Sequence, residues 1–173
     1  MSNEATRGEP RSAAEERRLV AAITDLFERR IAFNGFLGFE IESFDAGGGV
    51  GEGRSGCVRV GFDMRPELIG HFLHGRLHGG VISSVLDVAG GLAVMRGIAS
   101  FHPHESTPAV LARFARLGTI DLRVDYLREG VGERFTAEAE VVRLGRRIAA
   151  CAMRLANERG RLLATGNANY IVS

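Results

Sequence analysis

Apolar and polar positions along the chain follow two periods, and the switch between them marks its elements. From Ser12 onward apolar residues recur every fourth place, at Leu19, Ile23, Phe27 and Ile31, with Val20 and Leu26 beside them. Arg17, Arg18, Glu28, Arg29 and Arg30 fall mostly off that face. The spacing predicts an amphipathic helix of about 18 residues, within residues 12–32. Ser12 opens it, with Glu15 three places on to complete a capping box. Such a helix packs on its own domain or, less commonly, serves a partner. The polar residues 1–11, with Gly8 and Pro10, read as a flexible tail.

The period then drops to two. Residues 33–44 and 57–64 are expected as strands joined through the glycine-rich run 46–53, and Arg65-Pro66 ends the second strand. That run lacks the strand-then-helix setting and the Lys-Ser/Thr ending of a phosphate loop, so a hairpin loop is favoured over phosphate binding. A connecting loop, 70–77, leads to the longest apolar run, Val81 to Arg96. A helix apolar on nearly every side is a buried one. Residues 97–106 read as a loop, and Thr107-Pro108 as the cap and first turn of a short helix closing near Gly118. Four alternating segments follow, at 119–127, 134–142, 148–156 and 161–172. The fold class is therefore α+β, with an antiparallel sheet of about six strands meandering around one central helix, and an N-terminal helical extension. Residues 33–173 form one domain.

Composition adds bounds. The chain has 173 residues, enough for one sizeable core. Its net charge of +1 gives no bulk attraction to nucleic acid or to an anionic membrane, and neither is expected as a partner. Its cations are arginines, which suit bidentate contacts to phosphate or carboxylate better than lysine does. Two cysteines, Cys57 and Cys151, make no disulfide framework, and no signal-peptide pattern is present, so a cytoplasmic setting is the default expectation. No stretch gives roughly 20 uninterrupted apolar residues, so no transmembrane helix is expected.

The chemistry concentrates where the central helix begins. Asp87 interrupts the apolar run, and an acid buried there is costly unless paired or used. It follows His78, the first residue of the turn His78-Gly79-Gly80, by nine positions. A helix starting near Gly80 presents unpaired N–H groups and its positive dipole end, and Gly79 and Gly80 leave that backbone open to a ligand. The arrangement suits attack on a carbonyl, with Gly79 N–H as oxyanion donor and Asp87 as general base or nucleophile. The competing reading is a tight turn, a capped helix and a structural Asp. His71, His74 and His78, with His102 and His104, invite a metal reading, but the spacing is not that of a zinc helix and no cysteine lies nearby. No metal and no cofactor is expected. Arg128, Arg143 and Arg146, with Arg147, fall at strand ends and turns, where they would clamp phosphates or be solvated.

The run Leu-His-Gly-Gly-Val-Ile-Ser-Ser-Val-Leu-Asp-Val-Ala-Gly-Gly-Leu-Ala, with Gly-Thr-Ile-Asp-Leu-Arg-Val-Asp-Tyr-Leu-Arg at 118–128, resembles the hotdog-fold acyl-CoA thioesterases of the PaaI-like family, nearest the YigI-type medium- and long-chain branch. The resemblance covers about residues 33–172. It implies a sheet curled around one helix, a homodimer or homotetramer with active sites between paired subunits, and an acyl-CoA substrate. It places the catalytic acid on Asp87 and the oxyanion N–H on Gly79, with His78 ordering the turn, and it favours Gly80, Arg128, Arg146 and Arg143 as contacts to coenzyme A. Many members carry Asn six positions before the motif His. Here that position is Phe72, and His71 beside it is the candidate substitute. The rival functions are hydration or dehydration of an acyl thioester on the same fold, and a non-enzymatic acyl-CoA sensor.

Overall fold

The computed structural model describes residues 9–44, 57–71 and 73–173. The glycine-rich run 46–53 and the phosphate reading weighed for it lie outside the described residues, as does Phe72.

Helix α1 (Ala13–Asp25) opens on the capping box. The Ser12 hydroxyl accepts from Glu15 N–H, and the Glu15 carboxylate accepts from Ser12 N–H at 2.9 Å. The helix continues as a π-helical turn (Leu26–Arg30), and Leu19, Ile23 and Phe27 are all buried. The strand expected from Phe33 does not start there. Helix α2 (Ala32–Leu37) intervenes, closed by Gly38 at φ 71°, and strand β1 is only Glu40–Phe44. The two-residue alternation misleads because the inward residues are Asn34 and Leu37, three apart. Asn34 Nδ2 donates to the Phe27 carbonyl at 2.9 Å, while Phe33 and Phe36 stack on the outside.

Strand β2 (Val58–Asp63) pairs with β1, and a short hairpin, β3 (Ile69–His71) and β4 (Arg76–Leu77), occupies the expected loop. After helices α3 (Gly79–Phe101) and α4 (Thr107–Phe114) come β5 (Gly118–Tyr126), β6 (Arg134–Leu144), β7 (Ile148–Asn157) and β8 (Leu162–Ile171). Ser106, not Thr107, takes the N-cap position of α4. The six-stranded sheet is antiparallel but not a meander. Its order is β1-β2-β6-β7-β8-β5, so the strand that follows the helices lies at an edge and pairs with the last strand. Alternation sorts the two faces. Val58, Val60, Phe62, Phe135, Ala137, Ala139, Cys151, Met153 and Leu155 are buried toward α3. Arg59, Glu138 and Arg154 form ion pairs on the other face. Many inward residues are small, which lets the helix lie close on the sheet.

Helix α3 does not stop at Arg96. Ile98 and Ala99 are buried, so the core carries the helix past Gly97, where a Cβ would meet Val141 and Leu144 no closer than 3.4 Å. Its end is closed by Arg11, which the sequence assigned to a flexible tail. Only 5% of that side chain is exposed, and its guanidinium donates to the carbonyls of Ala99, His102 and Glu105. The Ala99 carbonyl is an orphan acceptor of the helix end, and the cation that meets it, together with the following loop carbonyls, also opposes the dipole. Glu16 bridges Arg11 at 3.1 Å and the buried Arg96 at 2.9 Å. At 23 residues, α3 is also long and apolar enough by composition to cross a bilayer, against the sequence expectation. Here it is the core helix, with Val85, Leu86, Ala89, Leu92 and Val94 fully buried.

Candidate active site

Two glycines fix the start of α3. A Cβ on Gly70 would sit 2.5 Å from His78 Cα, and one on Gly130 would sit 2.8 Å from Leu77 Cβ. These close approaches allow His78 N–H to donate to Leu68 O at 2.8 Å and Leu77 N–H to Gly130 O at 2.9 Å. His78 is the N-cap. Its Nδ1 accepts from Gly80 N–H at 2.8 Å, so that nitrogen is unprotonated and the ring proton sits on Nε2. The Gly80 amide is thereby committed to the cap and is not the open donor the sequence suggested. Gly79 is different. Its carbonyl accepts from the Tyr126 hydroxyl at 3.0 Å, while its N–H meets no acceptor among the described residues. One amide at the positive end of a long helix is therefore left without a partner among the described residues, on a half-exposed residue that carries no side chain of its own.

Asp87 lies eight residues further along, about 12 Å up the helix axis. It is half-exposed on a face of small and polar residues, Gly80, Ser83, Ser84 and Gly91, while the opposite side of α3 is buried. Its Oδ1 accepts from the Thr119 hydroxyl at 2.9 Å and from the Tyr170 hydroxyl at 3.2 Å. Oδ2 has no hydrogen bond among the described residues. Burial, and next the Asp87 charge, push the Tyr170 phenol well above its ordinary range, so it stays a donor.

Strict alternation over 119–127 sets Ile120, Leu122, Val124 and Tyr126 on one face and Thr119 on the other, so the sequence gives no sign of Thr119. A bulge between Thr119 and Asp121 shifts the register, so Thr119 pairs with Tyr170 and joins Leu122, Val124 and Tyr126 on the helix side. Ile120 is 52% exposed instead. Tyr170 carried no signal beyond its place in an alternating strand.

The remaining candidates divide between two regions. Arg128, exposed and two residues beyond Tyr126, donates to Leu162 O at 2.9 Å and stands at the corner that holds Gly79. His71 belongs to the same corner, next to Gly70, with its ring stacked on that of His74 at 4.8 Å. Arg143 and Arg146 do not join them. Arg143 is in register with Ala150, which pairs with Asn169 on the sheet's outer face, and Arg146 lies in the β6–β7 turn. Both are exposed, near the end of α3 where Val141 and Leu144 flank Gly97. Among the described residues no three His, Cys, Asp or Glu side chains gather as metal ligands.

The arrangement can polarise a carbonyl at Gly79 and deliver a base or nucleophile at Asp87, but 12 Å of helix separates the two in one copy. Comparison with known proteins points the same way as the chemistry. The family model of the thioesterase superfamily matches residues 74–164. The medium/long-chain acyl-CoA thioesterase YigI of Escherichia coli K12 is 37% identical over 150 residues, spanning 87% of this chain and 91% of that one. A crystal structure from Shewanella oneidensis, described as related to the thioesterase superfamily, has TM-score 0.82 at 36% identity, covering 94% of this chain and all of that one (100%). A hypothetical thioesterase protein from Streptococcus pneumoniae TIGR4, solved with coenzyme A, shares the fold with TM-score 0.58 at 20% identity, covering 78% of this chain and 88% of that one.

Proposed function

This chain belongs to the thioesterase superfamily, and on that premise we propose that it hydrolyses medium- and long-chain acyl-CoA to free acid and coenzyme A at a site shared by two copies. The observation that carries this reading is the pair of open groups on α3, the unpaired Gly79 N–H and the unpaired Oδ2 of Asp87. With the donor about 3 Å from the carbonyl oxygen, a C=O bond of about 1.2 Å and the attacking atom about 3 Å from the carbon, donor and attacking atom lie at most about 7 Å apart. Gly79 and Asp87 of one copy stand about 12 Å apart, so they serve different substrates. Two copies related by a twofold axis set Gly79 of one against Asp87 of the other, twice.

In each such site Gly79 N–H donates to the carbonyl oxygen and strengthens that bond as negative charge develops. Asp87 Oδ2 either takes a proton from the attacking water or attacks the carbonyl carbon itself. The tetrahedral centre then collapses and expels the thiolate of coenzyme A, which takes up a proton; after attack by water the free acid is left directly, and after attack by Oδ2 an acyl-Asp87 anhydride is left, which water hydrolyses to the free acid and the restored carboxylate. His78 holds the amide in place through the cap, and His71 stands at the same corner to orient substrate. Arg128, on the Gly79 side, is the best placed of the arginines to meet coenzyme A phosphates. Arg143 and Arg146 would reach the cofactor-derived part of the substrate only along the far end of α3.

Release of free thiol from acyl-CoA of increasing chain length tests this reading. Wild-type protein is expected to turn over medium and long chains, and Asp87→Ala to lose at least about a hundredfold in kcat with its fold and assembly intact. An Asp87→Ala chain as active as wild type overturns the assignment of the acid. Conversion of an enoyl-CoA to its hydrate without thiol release would favour the hydratase reading instead.

A further inference from the structure

Helix α3 carries a glycine where its propensity argues against one. Gly90 sits mid-helix, at a cost of roughly 1 kcal/mol against alanine. The reason is steric. A Cβ on Gly90 would lie 2.2 Å from Tyr170 Oη and 2.6 Å from Met153 Sδ. The missing side chain opens a slot through which the phenol of Tyr170 passes from β8 into the helix. At the end of that slot its hydroxyl reaches the Asp87 main-chain carbonyl at 2.8 Å and the Asp87 carboxylate Oδ1 at 3.2 Å. From the other side, Thr119 on β5 reaches the same Oδ1 at 2.9 Å.

We propose that Tyr170 is a positioning residue for Asp87, selecting Oδ2 as the oxygen that acts on substrate. This rests on the thioesterase reading above. The torsion that swings a carboxylate about its last bond is soft and nearly twofold, so an unrestrained Asp presents either oxygen over a wide arc. Donors from two different strands converge on Oδ1, and exchanging the oxygens breaks both bonds. Thr119 is exposed and water can replace its hydroxyl, whereas Tyr170 is 1% exposed and water cannot reach its place. The phenol's single proton is shared between Oδ1 at 3.2 Å and the nearer Asp87 main-chain carbonyl at 2.8 Å, so one hydroxyl ties the carboxylate to the helix backbone. Among the described residues, the titratable neighbours of the Tyr170 phenol are Asp87 itself and, beyond Gly90, Cys151 on β7, whose thiol burial pushes up to about 12.

Tyr170→Phe keeps the ring and removes only the hydroxyl. In a thiol-release assay we expect kcat to fall about tenfold with KM within about twofold, the loss of one hydrogen bond to a charged group. A readout independent of turnover accompanies it. The carboxylate stretch of Asp87, isolated as the infrared difference between each chain and its Asp87→Asn version, shifts between the wild-type and Tyr170→Phe backgrounds. An unshifted band overturns the positioning role, whatever the chain hydrolyses. So does a Tyr170→Phe enzyme with unchanged kcat, or one that loses only thermal stability. A shifted band in a wild-type chain inert toward every acyl-CoA keeps the hydrogen bond and overturns the thioesterase reading instead.

Discussion

Gly79→Pro isolates the proposed oxyanion donor with little disturbance to anything else. Gly79 is the first helical residue after the His78 N-cap, and its N–H makes no helix bond, so deleting that N–H costs the helix nothing. His78 has φ −63° and ψ 138°, the extended conformation that a residue before proline adopts. There is room as well, since a Cβ at 79 meets nothing nearer than Tyr126 Cε1 at 3.6 Å. Removing one oxyanion donor lowers kcat by about 10²–10³-fold, roughly 3–4 kcal/mol of transition-state stabilisation. The fold itself gains about 0.4–1 kcal/mol, because proline restricts the unfolded chain. Activity and stability therefore move in opposite directions: thiol release falls at least about a hundredfold while Tm holds or rises by a few degrees. The variant also tests the shared site. Coexpression of Gly79→Pro and Asp87→Ala chains under two tags gives a heterodimer in which one site carries both lesions and the other carries neither. With both tags selected, it recovers about half of wild-type activity from two inactive parents. A Gly79→Pro enzyme retaining more than about a tenth of wild-type kcat refutes the donor assignment. A heterodimer as dead as its parents refutes the pairing of Gly79 with another copy's Asp87.

Two further outcomes follow from the far end of α3. Arg11→Ala strips three carbonyls of a charge-assisted donor and leaves Glu16 with Arg96 alone, so stability falls by about 2 kcal/mol in urea unfolding while kcat per folded chain is unchanged; an unchanged midpoint would show that water replaces the guanidinium freely. Stability also depends on pH through His102 and Glu105. Burial, and next Arg113, hold His102 below its ordinary 6.5, so the unfolded chain binds the proton first and stability declines as pH falls below that value. The hydrogen bond from Arg113 holds Glu105 below its ordinary 4.5, so its contribution is present above that value and is lost as pH falls further. Thermal scans of His102→Gln should flatten the first decline, and scans of Glu105→Gln the second; parallel curves for all three chains would contradict the assignment.

Short-range order was written in the sequence wherever one period ran without conflict. The Ser12–Glu15 box, the fourfold spacing through Phe27 and the alternation of β6 and β7 each specify an element from neighbours alone, because caps and periodicity are local physics. The acid in the apolar run and the His-Gly-Gly turn were visible for the same reason. Failures came where a distant contact outweighed the local pattern. Phe33 to Leu37 alternates like a strand, yet Asn34 bonds Phe27 and turns it into a helix. Gly97 reads as a stop, yet the sheet and Arg11 carry α3 onward to Phe101.

The site divides along the same line. Sequence alone singled out Asp87, His78 and Gly79 as candidates, since an acid in an apolar helix and glycines at a helix start are anomalies visible without coordinates. Only the tertiary structure showed that His78 takes the Gly80 amide and leaves Gly79 open, and that a bulge in β5 turns Thr119 inward. It alone showed that Gly90 admits Tyr170 to the acid. Each of these depends on which strand lies beside which helix turn. That is set by the order β1-β2-β6-β7-β8-β5, in which Thr119 and Tyr170, 51 positions apart, become cross-strand partners. Residues so far apart share no local interaction, so no pattern of neighbours could encode their meeting; the packing of the whole sheet around one helix decides it.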